Sequence, residues 1–346
     1  MKPDEKKMVL STTDTANAQK AYNAVVGDFL DPQKQLANVV GMGIGVKWTK
    51  GEPTGKPALV VLVTQKLAKS ELSPSNLVPN KLQEFQTDVL DIGYPLAGQT
   101  ETGTQTLASR VRPAKGGYSV GHKGITAGTI ATCVYEILPE GSVSPPRHGI
   151  GIPSNYYLLS NNHVLANSNA ASLGDSILQP GPYDGGADPA DRIGALSRFI
   201  PITFEPTMPR RDHNNLVDAA IAQVAFHEGD REIYWIGNVR GWRQKRDVTV
   251  GMPVKKTGRT THFTVGRITA INATVDVGYG GGKVARFKDQ IITTPMSAGG
   301  DSGSLVTTLD NIAVGLLFAG SSTATIANQI ENVRSLLRVE VAEQIL

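Results

Sequence analysis

Short runs in which apolar residues alternate with polar ones, or in which β-branched residues cluster, recur along the chain from about residue 110 onward. They cover 130–137, 156–159, 176–178, 193–202, 219–224, 248–250, 263–271, 274–277, 283–287, 291–294, 303–307 and 312–318, and glycine or proline clusters separate them. Many short strands at this spacing predict a barrel or a sandwich. Helical spacing is confined to the two ends. Over 15–30, Ala18, Tyr22, Val25, Val26 and Phe29 share a face until Asp31-Pro32 stops the helix. Over 327–341, Ile330, Val333, Leu336 and Leu337 do the same, and this stripe reads as core rather than as a partner site.

Between the first helix and the β-rich region, 39–48, 58–63 and 87–92 read as strands, the first two separated by a turn holding Gly51, Pro53, Gly55 and Pro57. The segment 67–82 is punctuated by prolines, and 98–106, rich in Gly, Thr and Gln, reads as a linker. The expectation is a small α/β amino-terminal domain over 1–108, followed by a mainly β domain over 109–346. A chain of 346 residues with 40% hydrophobic content suits two such units without staples.

Candidate chemistry centres on Gly300-Asp301-Ser302-Gly303-Ser304. An alkoxide attacking a carbonyl leaves negative charge on the carbonyl oxygen, and backbone N–H groups of a tight turn can be aimed at that charge. Glycines at 300 and 303 let the backbone approach a substrate closely. A lone Gly-Asp-Ser-Gly is equally a glycine-rich hairpin turn, so the rest of the chain has to decide. A serine needs a histidine base and a carboxylate to orient it. Of six histidines, His163 follows the strand-like Tyr156-Tyr157-Leu158-Leu159 and the strand-ending Ser160-Asn161-Asn162, which places an imidazole at a strand end. His122, His148, His213 and His227 sit beside loop-forming or charged residues, and His262 follows two threonines in a strand-like segment. Asp218 lies inside the apolar run 216–224, where an unpartnered carboxylate is costly, and His163 is its natural partner.

The order His163, Asp218, Ser302 resembles that of chymotrypsin-like, or trypsin-like, serine proteases. Leu159-Ser160-Asn161-Asn162-His163-Val164 resembles their histidine motif, Asp218-Ala219-Ala220-Ile221-Ala222 their aspartate strand, and Gly300 to Ser304 their nucleophile loop. The segment 254–270, with Thr257-Gly258-Arg259-Thr260-Thr261, is similar to the second-barrel opening of the secreted bacterial alpha-lytic and streptogrisin-type proteases. Arg112-Pro113-Ala114-Lys115-Gly116-Gly117 with Gly121-His122, Gln179-Pro180-Gly181, Asp184-Gly185-Gly186 and 314–320 resemble a subgroup with an amino-terminal extension, which includes the plant narrow-leaf proteases and bacterial relatives.

These resemblances imply two six-stranded antiparallel β-barrels closed by a carboxy-terminal helix. They imply a serine endopeptidase working through an acyl-enzyme, with His163, Asp218 and Ser302 as triad and the N–H groups of Gly300 and Ser302 as oxyanion hole. Arg259 would pair with Asp301 and hold the loop competent without proteolytic activation. By position, Met296 would lie near the base of the primary pocket, with Phe318, Ala319 and Gly320 as its wall. Phe318 stands where those enzymes carry a serine that supports the catalytic carboxylate. With no acid apparent in the pocket, a small or apolar P1 residue is expected. His262 replaces a glycine of the subgroup, and Lys255 and Val265 replace its disulfide cysteines.

Cys133 is the sole cysteine, so no intrachain disulfide forms, and its apolar strand suits a buried thiol. Met1 to Lys7 is charged, with no apolar segment of signal-peptide length after it, and no run reaches the roughly 20 apolar residues of a membrane span. These features predict a cytosolic protein without membrane association. The net charge of +3 gives no case for nucleic acid. Gly278-Tyr279-Gly280-Gly281-Gly282-Lys283 lacks the first glycine and the final Ser or Thr of a P-loop and reads as a flexible hairpin. Gly41-Met42-Gly43-Ile44-Gly45 has the wrong spacing for a dinucleotide loop, and Arg240, Arg243, Lys245 and Arg246 around Trp242 read as a solvated connector. Neither a metal nor a cofactor is called for. The expected partner is a protein or peptide substrate, with homo-oligomerisation open. The rival reading is a catalytically silent peptide-binding or assembly scaffold, and an esterase is a third.

Overall fold

The computed structural model describes residues 7–31, 38–67, 74–92, 106–124, 127–136 and 155–341, together with 36, 69, 72 and 95. His148 and most of the expected linker lie outside these residues. Helix α1 spans Thr12–Phe29 and starts earlier than its apolar stripe because Ser11 caps it, its hydroxyl accepting from Asp14 N–H at 3.0 Å. Ala18, Ala21 and Tyr22 are its buried face.

Strands β1 (Val39–Thr49) and β2 (Glu52–Val63) form a hairpin, and β3 (Lys81–Leu82) and β4 (Phe85–Asp91) extend the sheet, β4 lying parallel to β2. β2 begins before the predicted 58–63. Its residues 58–63 are flanked by β1 and β4, whereas Pro53 and Pro57 pair only with β1, so the absent N–H groups interrupt no second ladder.

The first barrel contains β5 (Ala114–Gly116), β6 (Ser119–His122), β7 (Gly128–Thr129), β8 (Cys133–Glu136), β9 (Tyr156–Ser160), β10 (Ser176–Leu178), β11 (Arg192–Phe199) and β12 (Ala220–Val224). Antiparallel pairings run β8–β9–β12–β11–β10–β6–β7. Backbone bonds from Ala131 N to Leu159 O (2.8 Å) and from Leu159 N to Thr132 O (3.0 Å) join β7 and β8 into one bent strand and close the ring. β13 (Gly229–Ile233) pairs in parallel with β5 and antiparallel with β14 (Gly237–Asn238). β15 (Gly241–Trp242) then reaches the second barrel.

There, β16 (Pro253–Gly258), β17 (His262–Gly278), β18 (Val284–Thr293), β19 (Leu305–Thr308), β20 (Ile312–Gly320) and β21 (Thr325–Gln329) form the antiparallel ring β16–β19–β20–β21–β18–β17, which a β16–β17 pairing closes. The two predicted strands 263–271 and 274–277 are thus one strand, bent where the register shifts around Asn272. Residues 248–250 form no strand, although Val248 and Val250 are core. A one-turn helix, α2 (Asn162–Leu165), follows β9, and the carboxy-terminal helix α3 (Ile330–Leu337) is shorter than its stripe. Residues before it serve as the barrel strand β21, and Val339–Glu340 (β22) pairs with β8.

The sheet of the amino-terminal segment continues into the second barrel, because β1 also pairs with β17, Gly41 facing Val275 and Met42 facing Thr274. A Cβ on Gly41 would stand 2.4 Å from the Thr274 carbonyl, so the glycine-rich run of β1 serves this close approach. The cores merge likewise. One cluster joins Ala18, Tyr22, Ile44 and Leu59 to Val254, Ile291 and Leu317, and another joins Val40, Leu62 and Ile92 to Phe204, Phe287 and Phe318. Cys133 is buried, which pushes its thiol up to about 12. Among the described residues no helix is long and apolar enough to cross a membrane.

A shared core makes the amino-terminal strands and the second barrel one cooperative unit. Leu62→Ala, which empties a fully buried site, is expected to cost about 3 kcal/mol and to shift a single urea transition seen by circular dichroism. A separate early transition, with the main one unmoved, would show the segment unfolding alone.

Candidate active site

His163 sits in the one-turn helix α2 that follows β9. Two asparagines fix this turn. Asn161 donates its amide to the Asp218 carbonyl at 2.7 Å, and Asn162 donates to the carbonyl of Ile200 at 2.7 Å. The imidazole is therefore held over Asp218, two residues ahead of β12. The Asp218 carboxylate is completely buried. Its Oδ1 accepts the backbone N–H of His163 at 3.1 Å, and its Oδ2 lies 2.6 Å from His163 Nδ1. That contact assigns the proton to Nδ1, because an ionised carboxylate only accepts. Nε2, on the far side of the ring, has no hydrogen-bond partner among the described residues.

A third donor reaches the same carboxylate. The hydroxyl of Tyr279 donates to Asp218 Oδ2 at 2.7 Å. Burial, and then the Asp218 charge, raise the Tyr279 phenol well above its ordinary range, so it stays a neutral donor. The aspartate backbone is held as well: Asp218 N donates to Asn328 Oδ1 at 3.0 Å, and Asn328 donates to Gln290 at 2.7 Å.

Ser302 is in the turn that enters β19, flanked by Gly300 (φ 92) and Gly303 (φ 98). A Cβ on Gly300 would also come within 2.3 Å of Arg259 Nη1, so glycine is required there by backbone and by space alike. Thr129 of the first barrel grips the turn at two points, its hydroxyl donating to the Gly300 carbonyl at 2.8 Å and its N–H to the Ser302 carbonyl at 2.7 Å. The N–H groups of Gly300 and Ser302 meet no acceptor among the described residues. The Ser302 hydroxyl donates to the carbonyl of Phe318 at 3.3 Å, and so rests turned toward β20.

The expected Arg259–Asp301 pair is not the one formed. Asp301 takes Lys256 instead, at 3.1 Å with both side chains fully buried. It also accepts the N–H groups of Thr260 (2.9 Å), Thr261 (3.1 Å) and Ala298 (3.0 Å) and the Thr261 hydroxyl (2.5 Å). Five donors already surround this carboxylate, and the Arg259 guanidinium turns away from it. It pairs with Asp184 of the first barrel and lies 5.3 Å over the ring of Tyr183. Arg259 is thus a buried tie between the barrels beside the Ser302 turn. Burial lowers the Lys256 ammonium from its usual range, with Asp301 opposing.

Around the expected primary pocket, Met296 is nearly buried, and its N–H donates to Thr325 Oγ1 at 3.1 Å. Ser297 and Thr325 share a 2.6 Å hydroxyl contact. Phe318 turns its ring into the core, 4.7 Å from Phe287, and offers the site only backbone. No cluster of three potential metal ligands occurs among the described residues. Sequence reasoning missed Lys256, Asp184, Thr129 and Tyr279. Alternation along β16 gave a signal for the first, since Val254 and Lys256 point inward together. Asp184 lies in the Asp184-Gly185-Gly186 motif, which gave it no role, and no local signal marked Thr129 or Tyr279.

Residues 31–92 match the family described as the NARROW LEAF 1 N-terminal domain. Glutamyl endopeptidase 2 of Streptomyces griseus is 42% identical over 67 residues, 19% of this chain and 33% of that protein. The chain therefore spans about a third of the length of this curated relative. Among solved structures, Thermobifida fusca Protease A aligns with a TM-score of 0.44 at 16% identity, covering 66% of this chain and 98% of that one. A glutamic acid specific serine protease, described as using a novel histidine triad in substrate binding, aligns at 0.42 with 21% identity, covering 66% and 99%. The likeness to chymotrypsin-like serine proteases, and to the narrow-leaf group at the amino-terminal end, is thus found by comparison as well as by motif.

Removing Lys256 leaves the buried Asp301 with a charge and no counterion. Lys256→Met is expected to cost about 3 kcal/mol in urea denaturation, and much less when Asp301→Asn is already present. Equal losses in both backgrounds would show that the pair does not carry the loop.

Proposed function

We propose that this protein is a serine endopeptidase. The observation that supports it best is the buried 2.6 Å contact between Asp218 and His163 Nδ1, which leaves Nε2 without a partner among the described residues and available as a base; the nucleophile proposed for it is Ser302, held between Gly300 and Gly303. In the proposed reaction the Ser302 hydroxyl swings from the Phe318 carbonyl toward Nε2. Its oxygen attacks the scissile carbonyl while its proton passes to Nε2. The imidazolium so formed is stabilised by Asp218, which keeps the Nδ1 proton hydrogen bonded and does not itself become protonated. The oxyanion is met by the N–H groups of Gly300 and Ser302. Collapse of the tetrahedral intermediate delivers the Nε2 proton to the leaving amine and leaves Ser302 acylated. Water, deprotonated by the same nitrogen, then hydrolyses the ester.

The pocket proposed beside Met296 is bordered by Ser297, Thr325, Ala319 and Gly320, which are small and neutral. This favours a small or apolar P1 residue. The curated relative is named for glutamyl specificity, which makes glutamate the informative competitor. One observation favours the alternative of a silent peptide-binding scaffold: the Ser302 hydroxyl is bonded to Phe318 rather than to the histidine.

Labelling with a fluorophosphonate probe separates the two. Ser302-dependent labelling, abolished by Ser302→Ala and slowed about 10³- to 10⁴-fold by Asp218→Asn, is the expected result. No labelling in any buffer favours the scaffold. A peptide-library digest is expected to show cleavage after small or apolar residues. Dominant cleavage after Arg, Lys or Glu overturns the pocket assignment while leaving the reaction class intact.

A further inference from the structure

We propose that Tyr279 is a positioning residue for the Asp218–His163 pair, an inference that rests on the peptidase reading. The sequence around it points elsewhere at first. Gly280, Gly281 and Gly282 all have positive φ (76, 56 and 77), and a Cβ on any of them would meet nothing within 4 Å. A tip of this kind has much conformational freedom and no packing of its own.

Tyr279 sits at the base of this tip, between β17 and β18, and its ring points inward. It lies edge-on to Phe204 at 5.1 Å and to His163 at 5.9 Å, and stacks on Phe287 at 6.2 Å. Its hydroxyl ends 2.7 Å from Asp218 Oδ2, the same oxygen that holds His163 Nδ1. Two donors on one oxygen fix the direction of its lone pairs, and with them the plane of the imidazole. Phe318, in the position where a supporting serine is expected from the sequence, carries no polar side-chain atom and packs against Phe287. The hydroxyl that braces the carboxylate therefore arrives from another strand connection.

The hairpin is anchored by the amino-terminal segment. Gly278 N donates to the Pro95 carbonyl at 3.0 Å, and the Ser321 hydroxyl donates to the Ile92 carbonyl. Tyr279 packs against the cluster that contains Val40, Val60, Leu62 and Ile92 together with Phe204 and Phe287. The strands ahead of the barrels thus wall in the aromatic floor beneath Asp218. Among the described residues, the titratable side chains in contact with the Tyr279 side chain are Asp218 and His163, and the backbone N–H of Tyr279 donates to the Lys283 carbonyl at 2.9 Å. Lys283 of the same hairpin lies 5.4 Å over the Phe204 ring.

The test is the pH dependence of fluorophosphonate labelling at Ser302 in the full chain. Tyr279→Phe keeps the ring and its packing but removes the hydroxyl. Labelling is expected to slow about tenfold, and the acid limb to move to higher pH. The sign follows from charge: without the phenol more of the carboxylate charge faces the imidazolium, which then keeps its proton to higher pH. In an Asp218→Asn background, Tyr279→Phe is expected to slow labelling no further. An unmoved acid limb, whatever the rate, overturns the inference, since lost packing alone lowers the rate without moving the limb. A full additional loss in the Asp218→Asn background overturns it too. Native protein that fails to label at Ser302 overturns the peptidase reading itself.

Discussion

A carboxylate with no exposed surface is stable in a protein interior only if donors meet both of its oxygens, and Asp218 is such a group. Its partners come from three parts of the chain: the turn at 161–163, the hairpin at Tyr279, and Asn328, with Asn161 and Asn328 meeting its backbone. Each of these is fixed in turn by the barrels that carry it. The first barrel supplies the histidine turn, the second supplies the hairpin and Asn328, and the carboxylate lies where they meet. Misplacing any one of them would leave a buried charge partly unsatisfied, so the relative setting of the barrels and the geometry of the site are one constraint.

A second buried carboxylate works in the same way beside Ser302. Asp301 gathers donors from 256–261 and from Ala298, which ties the serine turn to the start of the second barrel. Arg259, adjacent in sequence, ties that region to Asp184 across the barrels, and Thr129 holds the turn from the other side. Two buried ion pairs with separate partners replace the single arginine–aspartate contact expected from the sequence. The ammonium of Lys256 needs no cleaved chain terminus to reach Asp301, so the loop is braced by residues internal to the barrel.

The amino-terminal strands take part in this arrangement through contact with the second barrel. Pairing of β1 with β17 puts Leu62 and Ile92 in one core with Phe287 and Phe318, directly under the tyrosine that reaches Asp218. Packing at this density transmits a displacement of one layer to the next. The segment 31–92 that matches the narrow-leaf domain family is thereby part of the floor beneath the site.

How much of this was legible in the chain depended on range. Alternation marked most of the strands, and a charged residue in an apolar run singled out Asp218, because burial and strand period act on neighbours in sequence. The glycines at 300 and 303 were legible for the same reason, since the turn they permit is local. The extent of the closing helix was not, because whether 327–329 coil or pair depends on the strands waiting on either side. The partner of Asp301 also escaped, since Lys256 and Arg259 are equally near in sequence and only the direction of each side chain in the closed barrel separates them. Tyr279 is 61 residues from Asp218 in a stretch that reads as a loose glycine tip. The sequence by itself determined which residues were available for the chemistry and where most of the strands would fall. The tertiary structure alone decided which donors meet each buried carboxylate, because those contacts arise only when the two barrels are brought into register.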